Sequence, residues 1–549
     1  MKTRRQFSCR ICTVLFAGSL TFAGASEPAT AQTATPVKGG TLVYLDPQPH
    51  NSLYPPGGGT YPNGGILNQI TDKLTYQNPK TLEIEPWIAE SWSTNAKFTE
   101  YTFKLRPSVT FSDGTPLDAA AVAKNFDAYG LGNKDKRYPV SEVVNNYERS
   151  EVIDPLTVKF YFKEPSPGFL QGTSTIGSGL VSPATLDRSF DELGDATKII
   201  GSGPFVVQSE KLGKEVVLKA REDYNWGPSK SAHQGRAFLD GIKIVVSPED
   251  SVRIGALLSG QADVIRRVQA YDEEQIVSGK YLVASAPTRG VNNGLYFRPD
   301  NPLLADVRVR KALLHATNTD EIISTIYSPH YPRATSIIAS TATGYVNEAG
   351  KLTFDPKLAA SLLDDAGWKM GANSLRQKDG APLILSVYWN PLHPQSKEML
   401  QLVAQQWGQV GVKLNVKSGD PGVVALENLD PLKTPIIHTV VGRADPDVIK
   451  SQFHPANRNA FLQKGGLSKN VKTFVDEKLN ADLEAIASEV DPAKRLAIVR
   501  EVQNYIVDQA YMIPVFEDPQ VYGASPRLKG LAFEAVGRPS FYDTWLDKR

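Results

Sequence analysis

Between Phe98 and Tyr129 the chain reads FTEYTFKLRPSVTFSDGTPLDAAAVAKNFDAY, and its apolar positions change period once along the way. Tyr101, Phe103 and Leu105 alternate with Thr102, Lys104 and Arg106, the period of two of a strand with one buried face. Pro107 withdraws a backbone donor and ends the ladder. Ser112, Asp113 and Gly114 have turn chemistry, Asp118 stands at an N-cap, and Val122, Phe126 and Tyr129 then recur at helical spacing. The same patterns predict strands over 40–45, 158–162, 205–208, 215–220, 242–247 and 262–265, and a helix over 66–76. Between 249 and 259, Ile254, Leu257 and Leu258 form an apolar stripe that Gly260 terminates, so 242–265 reads as a β-α-β unit.

From residue 301 the predicted helices lengthen. Asp306 caps a run in which Val309, Ala312, Leu313 and Ala316 share a face. Asp355 and Pro356 occupy N-cap and first-turn positions before Ala359, Leu362, Leu363 and Ala366, with Gly367 at the end, and Asp491-Pro492 repeats that start. Strands over 383–389 and 412–416 flank a helix carrying Met399, Val403 and Trp407, which makes this half a second α/β domain. The segment 47–65 is rich in proline and glycine, either a surface turn or the lining of a cleft to which Tyr54 and Tyr61 would present their rings.

A chain of 549 residues exceeds one ordinary core and implies two or three domains. The balance of 60 basic against 59 acidic side chains points away from nucleic acid. The N-terminal 31 residues hold Lys2, Arg4, Arg5 and Arg10 against Glu27, a surplus of three positive charges whose removal takes the formal net charge from +1 to −2. Thr3-Arg4-Arg5-Gln6-Phe7 is twin-arginine-like and precedes an apolar run, 11–25, too short for an ordinary membrane span. Small residues place a cleavage site after Ala25 or after Ala31, the latter preferred. The only cysteines, Cys9 and Cys12, precede the apolar run, so the exported protein would carry no disulfide, thiolate ligand, cysteine nucleophile or lipid-bearing cysteine.

The stretch YTFKLRPSVTFSDGTPLDAAAVAKNF resembles one shared by the large periplasmic solute-binding proteins of peptide, nickel and opine ABC transporters, the dipeptide/oligopeptide-binding (family 5) group. Further matches follow in that family's order: PWIAESW from Pro86, GSGPFVV from Gly201, LLSGQADVI from Leu257, DVRVRKALLHATNTDEII from Asp306, DPKLAASLLDDAGW from Asp355 and ADPD from Ala444. The resemblance implies a two-lobed α/β periplasmic-binding-protein-like fold with a third domain, mixed sheets flanked by helices, and a hinge. It also implies a division into a signal segment (1–31), domain I (38–58, 202–294 and 510–549), domain II (59–201) and domain III (295–509). The expected function is capture of a small polar ligand, peptide-like, metal-chelate, opine-like or anionic, and its delivery to the permease of an ABC transporter in the inner membrane. The protein would be a periplasmic monomer without cofactor, metal or nucleic acid.

No nucleophile elbow, zinc-helix motif or phosphate loop occurs, and the seven histidines show no ligand spacing, so no catalytic residue is assigned. Two segments carry the candidate site. Tyr388-Trp389-Asn390-Pro391-Leu392-His393-Pro394 leaves a strand end, where α/β sheets place binding loops. In dipeptide-binding relatives the matching loop supplies a basic side chain; here His393 is the nearest substitute, and a proline-stiffened loop with packed rings is the competing reading. In Gly442-Arg443-Ala444-Asp445-Pro446-Asp447, relatives place a carboxylate before the D-P-D to meet a peptide amine, whereas this chain has Arg443, either an ordinary surface arginine or a fork suited to a carboxylate, phosphate or sulfonate in a cleft. Asp445 either joins the site or makes a turn. The candidate ligand residues are therefore Tyr54, Tyr61, Tyr388, Trp389, His393, Arg443 and Asp445. The alternatives are a periplasmic hydrolase and a ligand-sensing partner of a membrane receptor.

Overall fold

In this computed structural model, which describes residues 35–455, 457 and 474–547, the four strands Ala89–Thr94, Glu100–Leu105, Thr157–Phe162 and Tyr147–Asp154 form an antiparallel sheet in that order. The predicted alternation is realised: Tyr101, Phe103 and Leu105 are buried, with Tyr101 opposite Phe160 and Phe103 opposite Val158. Helix Ala119–Leu131 packs on this sheet, its N-cap Asp118 accepting from the Ala121 amide at 2.9 Å. Phe169 closes the core, with ring centroids 5.1 Å from Tyr101 and 4.6 Å from Phe162. Each such ring pair adds about 0.5–1.5 kcal/mol beyond burial.

A seven-stranded mixed sheet runs Leu282–Pro287, Pro519–Ala524, Val264–Arg266, Thr41–Asp46, Gly241–Val246, Glu215–Ala220 and Phe205–Lys211. Thr41–Asp46 is parallel to both Gly241–Val246 and Val264–Arg266, and helix Asp250–Leu258 connects those two neighbours, the β-α-β unit expected from the sequence. Gly260, at φ +75°, ends that helix where only glycine is unstrained. A five-stranded sheet runs Lys413–Lys417, Ile384–Tyr388, Ile436–Gly442, Gly290–Phe297 and Met512–Phe516. Helix Ser396–Gln409 packs on it and buries Met399, Val403 and Trp407; Pro356–Asp365 and Pro492–Asp508 begin with the predicted aspartate caps.

The chain crosses between these two sheets twice, at Thr288–Arg289 and at Glu517–Asp518. The crossings lie side by side, the Thr288 amide donating to the Asp518 carbonyl at 3.0 Å. Thr35 and Pro36 are exposed and without regular structure, while Val37–Arg549 is one compact unit. The export segment and both cleavage positions lie outside the described residues.

One predicted helix is displaced. Helical spacing placed it over 66–76, but the helix is Tyr61–Ile70, followed by extended chain and the strand Thr75–Gln77. The cause is tertiary: the Gly203 amide donates to the Ile70 carbonyl (3.0 Å), and the Asp72 amide donates to Ser202 Oγ (3.0 Å), so another segment takes the backbone groups that helix continuation requires.

Candidate functional site

The motif Gly201-Ser202-Gly203-Pro204 acts as a clasp. A Cβ on Gly201 would stand 1.8 Å from the Ile70 carbonyl oxygen, and one on Gly203 2.5 Å from the Ile70 carbonyl carbon, so the two chains approach at a distance only glycine permits. The clasped strip Thr71–Leu74 is buried throughout, and Asp72 and Lys73 meet different surroundings. The Asp72 carboxylate accepts from Trp226 Nε1 (2.9 Å) and Tyr224 Oη (3.1 Å), and burial raises its pKa to about 7 against those bonds. Lys73 lines a cavity of about 920 Å³. It is 4 % exposed, its Nζ donates to Asn68 Oδ1 at 2.6 Å, and it lies 5.4 Å from the Trp87 ring centre. No carboxylate among the described residues comes within 4.0 Å of this ammonium, and burial lowers its pKa to about 8 although Glu534 and Asp72 favour the charge.

Two further segments complete that side of the cavity. Pro56, Gly57, Gly59 and Thr60 come from the proline- and glycine-rich stretch, and 532–543 comes from the tail. Arg538 ties these together, donating to the Gly59 carbonyl (2.6 Å) and pairing with Glu534 (2.9 Å). A Cβ at Gly64 would stand 2.2 Å from Arg538 Cδ, so that glycine also answers a close approach. Tyr76, Trp87, Tyr224, Phe533 and Tyr542 supply apolar wall.

The opposite wall is the strand Ile436–Gly442, its continuation through Ala444, and the helix Val448–Phe453. Asn428 Oδ1 and Ser451 Oγ are buried here without a hydrogen-bond partner. Arg443 also lines this wall, its Nη2 at 3.2 Å from Asp447 Oδ2. Behind it, Arg495 holds Asp445 through both nitrogens, at 2.6 and 3.1 Å, and Asp445 caps the Asp447 amide at 2.8 Å. Burial would raise the Asp445 pKa, but the Arg495 guanidinium outweighs it and keeps the carboxyl below its ordinary range. Asp447, whose arginine is less well placed, is raised by burial.

Residues 83–451 match the model for bacterial extracellular solute-binding proteins, family 5. The chain belongs to this family. It is 24% identical over 492 residues to the glutathione-binding protein GsiB of Salmonella paratyphi A, covering 86% of this chain and 88% of that one. Its fold is similar to that of NikA from Brucella suis in complex with Fe(III)-EDTA (25% identity, TM-score 0.77, covering 92% of this chain and 100% of that one). It is similar also to DppA from Helicobacter pylori in complex with the peptide STSA (20% identity, TM-score 0.76, covering 93% and 99%). These relatives are binding proteins rather than enzymes, as expected from the sequence. Among the described residues no helix is long and apolar enough to cross a membrane, and no group of His, Cys, Asp or Glu is arranged to hold a metal.

Of the seven residues singled out in the sequence of this family 5 protein, Arg443 lines the 920 Å³ cavity and the other six stand outside its lining. Tyr54 is fully buried, stacked on Tyr138 at 4.2 Å, with its hydroxyl on the Ala128 carbonyl (3.0 Å). Tyr61 braces the wall from behind, 2.8 Å from both Thr288 Oγ1 and the Val536 carbonyl and flanked by Arg266 and Arg538. Tyr388 donates to Glu427 at 2.6 Å, and Trp389 is half-buried against the core. His393 packs at a tilt against His438, ring centroids 4.9 Å apart, in the interior, where burial and the nearby Arg267 lower its pKa to about 3. Asp445 forms the turn and ion pair described above.

Lys73, Asn428 and Ser451 were not reached from the sequence. Lys73 sat inside a predicted helix, and nothing in a lone lysine, asparagine or serine announces an interior position. The signal that was present is the clasp: GSGP requires a partner backbone, and the strip it holds carries Lys73.

Proposed function

We propose that the 920 Å³ cavity is the solute site of an exported protein that captures a small polar molecule and presents it to an ABC permease. The observation that carries this is the origin of the walls: 56–87 and 139–190 from one part of the chain, 428–452 from another and 532–543 from the tail. On the division expected from the sequence, the lining at 56–57, 204–231 and 532–543 would belong to domain I, that at 59–190 to domain II and that at 428–452 to domain III, so a solute would touch all three at once. The volume lies toward the upper end of sites that enclose ligands of a few hundred daltons.

The adjacent crossings at Thr288–Arg289 and Glu517–Asp518 support a hinge. Contacts made by walls on either side of the solute exist together only when the walls are close, so binding shifts the hinge equilibrium toward the closed form, the form a permease would recognise. The names of the relatives span glutathione, an Fe(III)-EDTA chelate and a short peptide, and a solute of that size class is expected here. We further take the protein to act as a monomer, released after cleavage at Ala31.

The test is to express the full precursor, recover it from the periplasm, and compare native with denaturing mass. A native excess of a few hundred daltons, identified by fragmentation, supports the reading, and the denatured mass locates the cleavage. No excess, together with no thermal shift from any solute class, would count against it.

A further inference from the structure

We propose that the solute carries an anionic group (a carboxylate, phosphate or sulfonate) that seats on the Lys73 ammonium. The inference rests on the cavity being the solute site and narrows what it takes. A buried ammonium loses the hydration that stabilises it and needs an acceptor in return. Lys73 has three N–H donors, and Asn68 Oδ1, a neutral acceptor, takes one of them. Two other cations of the lining have direct carboxylate partners, Arg443 with Asp447 (3.2 Å) and Arg538 with Glu534 (2.9 Å), whereas Glu534 and Asp72 act on Lys73 only from beyond ion-pair distance.

A second observation has the same sign. Arg289 stands behind the lining, its guanidinium donating to the carbonyls of Ala535 and, at 2.7 Å, Pro79, both on the cavity wall. It has no carboxylate within 4.0 Å among the described residues, and its Nε is buried without a partner, so this wall holds two cations, Lys73 and Arg289, without a direct ion pair. At the far wall Ser451, 3 % exposed, leaves Oγ without a partner, as Asn428 leaves Oδ1. An anion at one end and an N–H or O–H group at the other would satisfy both walls. Lys73 supplies a single charged point rather than a planar fork, so it selects for negative charge more than for a particular oxoanion shape.

The experiment is a thermal-shift and calorimetric panel on the mature protein. Matched solutes that differ in one group are compared: short mono- and dicarboxylates, phosphomonoesters and sulfonates against the corresponding amides, alcohols and amines. The wild type, Lys73→Met and Lys73→Arg are run side by side. The expected result is stabilisation by anions only, with at least a tenfold loss of affinity in Lys73→Met and recovery of most of it in Lys73→Arg. Lys73→Met removes a buried charge but also the cation that lowers the pKa of buried Asp72, so the melting curve of each variant is recorded, and Lys73→Arg keeps that charge in place. The relative responses of carboxylates, phosphates and sulfonates identify which oxoanion is taken. Neutral or cationic solutes binding in place of anions, anion binding unchanged in Lys73→Met, or no anion binding at all would each overturn the proposal. Neutral binders with a native mass excess would leave the solute-site reading standing while this one falls. No binder of any class and no mass excess would remove both.

Discussion

The loop Tyr388–Pro394 and the strip Thr71–Thr75 each carry a basic side chain into the interior, and they end in opposite electrical states. Burial and Arg267 lower the His393 pKa to about 3, which keeps the ring neutral around neutral pH. Burial lowers Lys73 too, to about 8, but lysine starts four units higher than histidine and keeps its charge at neutral pH. Equal exclusion of water thus makes one residue part of the core and the other an electrostatic feature of the cavity. Their packing follows suit: the loop is closed up by His438, Glu427 and Lys417, while Lys73 has one neutral partner and open space beside it. A buried basic residue stays open to an anion when its intrinsic pKa survives burial and its direct partner is neutral.

The largest expected effect comes from opening the clasp that holds the strip. Gly201→Ala drives a methyl group into the Ile70 carbonyl and should cost on the order of 3 kcal/mol of stability, read from urea unfolding, with loss of solute affinity. A variant as stable as wild type would mean that the close approach at Gly201 does not hold Lys73 in place.

Next is the pH dependence of the loop. Between pH 6.5 and about 3 the unfolded chain binds a proton at His393 and the folded chain does not, so stability rises with pH across that window and falls on acidification. His393→Gln should flatten the stability curve below pH 6.5 by up to about 1.4 kcal/mol per pH unit, and leave solute affinity at pH 7 unchanged. Unaltered slopes would show that the ring is not held neutral.

The strip has the opposite pH signature. Anion binding requires Lys73 protonated, so affinity should be flat below its pKa of about 8 and decline by up to about tenfold per unit above it, with Lys73→Met removing that decline. Asp72, Glu534 and Arg538 act on the same ammonium, so the midpoint is to be measured in the wild type before and after adding the anion. The smallest effect is that of Tyr388→Phe. It deletes one hydroxyl bonded to Glu427 and should cost under about 1 kcal/mol, with affinity by calorimetry unchanged. A clear affinity loss there would return the loop to the site.

Much of the fold was legible along the chain, because strand alternation and aspartate caps are local. Tyr101, Phe103 and Leu105 face inward as their period requires, and Asp118, Asp306, Asp355 and Asp491 cap the helices they precede. The displaced helix at Tyr61–Ile70 is the instructive failure. Tyr61-Pro62-Asn63-Gly64-Gly65 has loop composition yet is helical, and its Gly64 leaves the space that Arg538, from the far end of the chain, occupies. Of the residues singled out for a site, Arg443 is the one that lines the cavity proposed for the solute. Arg443 was reached because a charged residue stood where the family resemblance places a ligand contact.

By itself the sequence determined the periods, the caps and the ordered motifs that define the family, all of which depend on residues within a few positions of one another. The tertiary structure alone decided which charges are neutralised. Asp445 met Arg495, Arg443 met Asp447, and Lys73 met a neutral amide oxygen with no carboxylate of the described residues within 4.0 Å, because Coulomb energy depends on distances and burial that chain order does not encode.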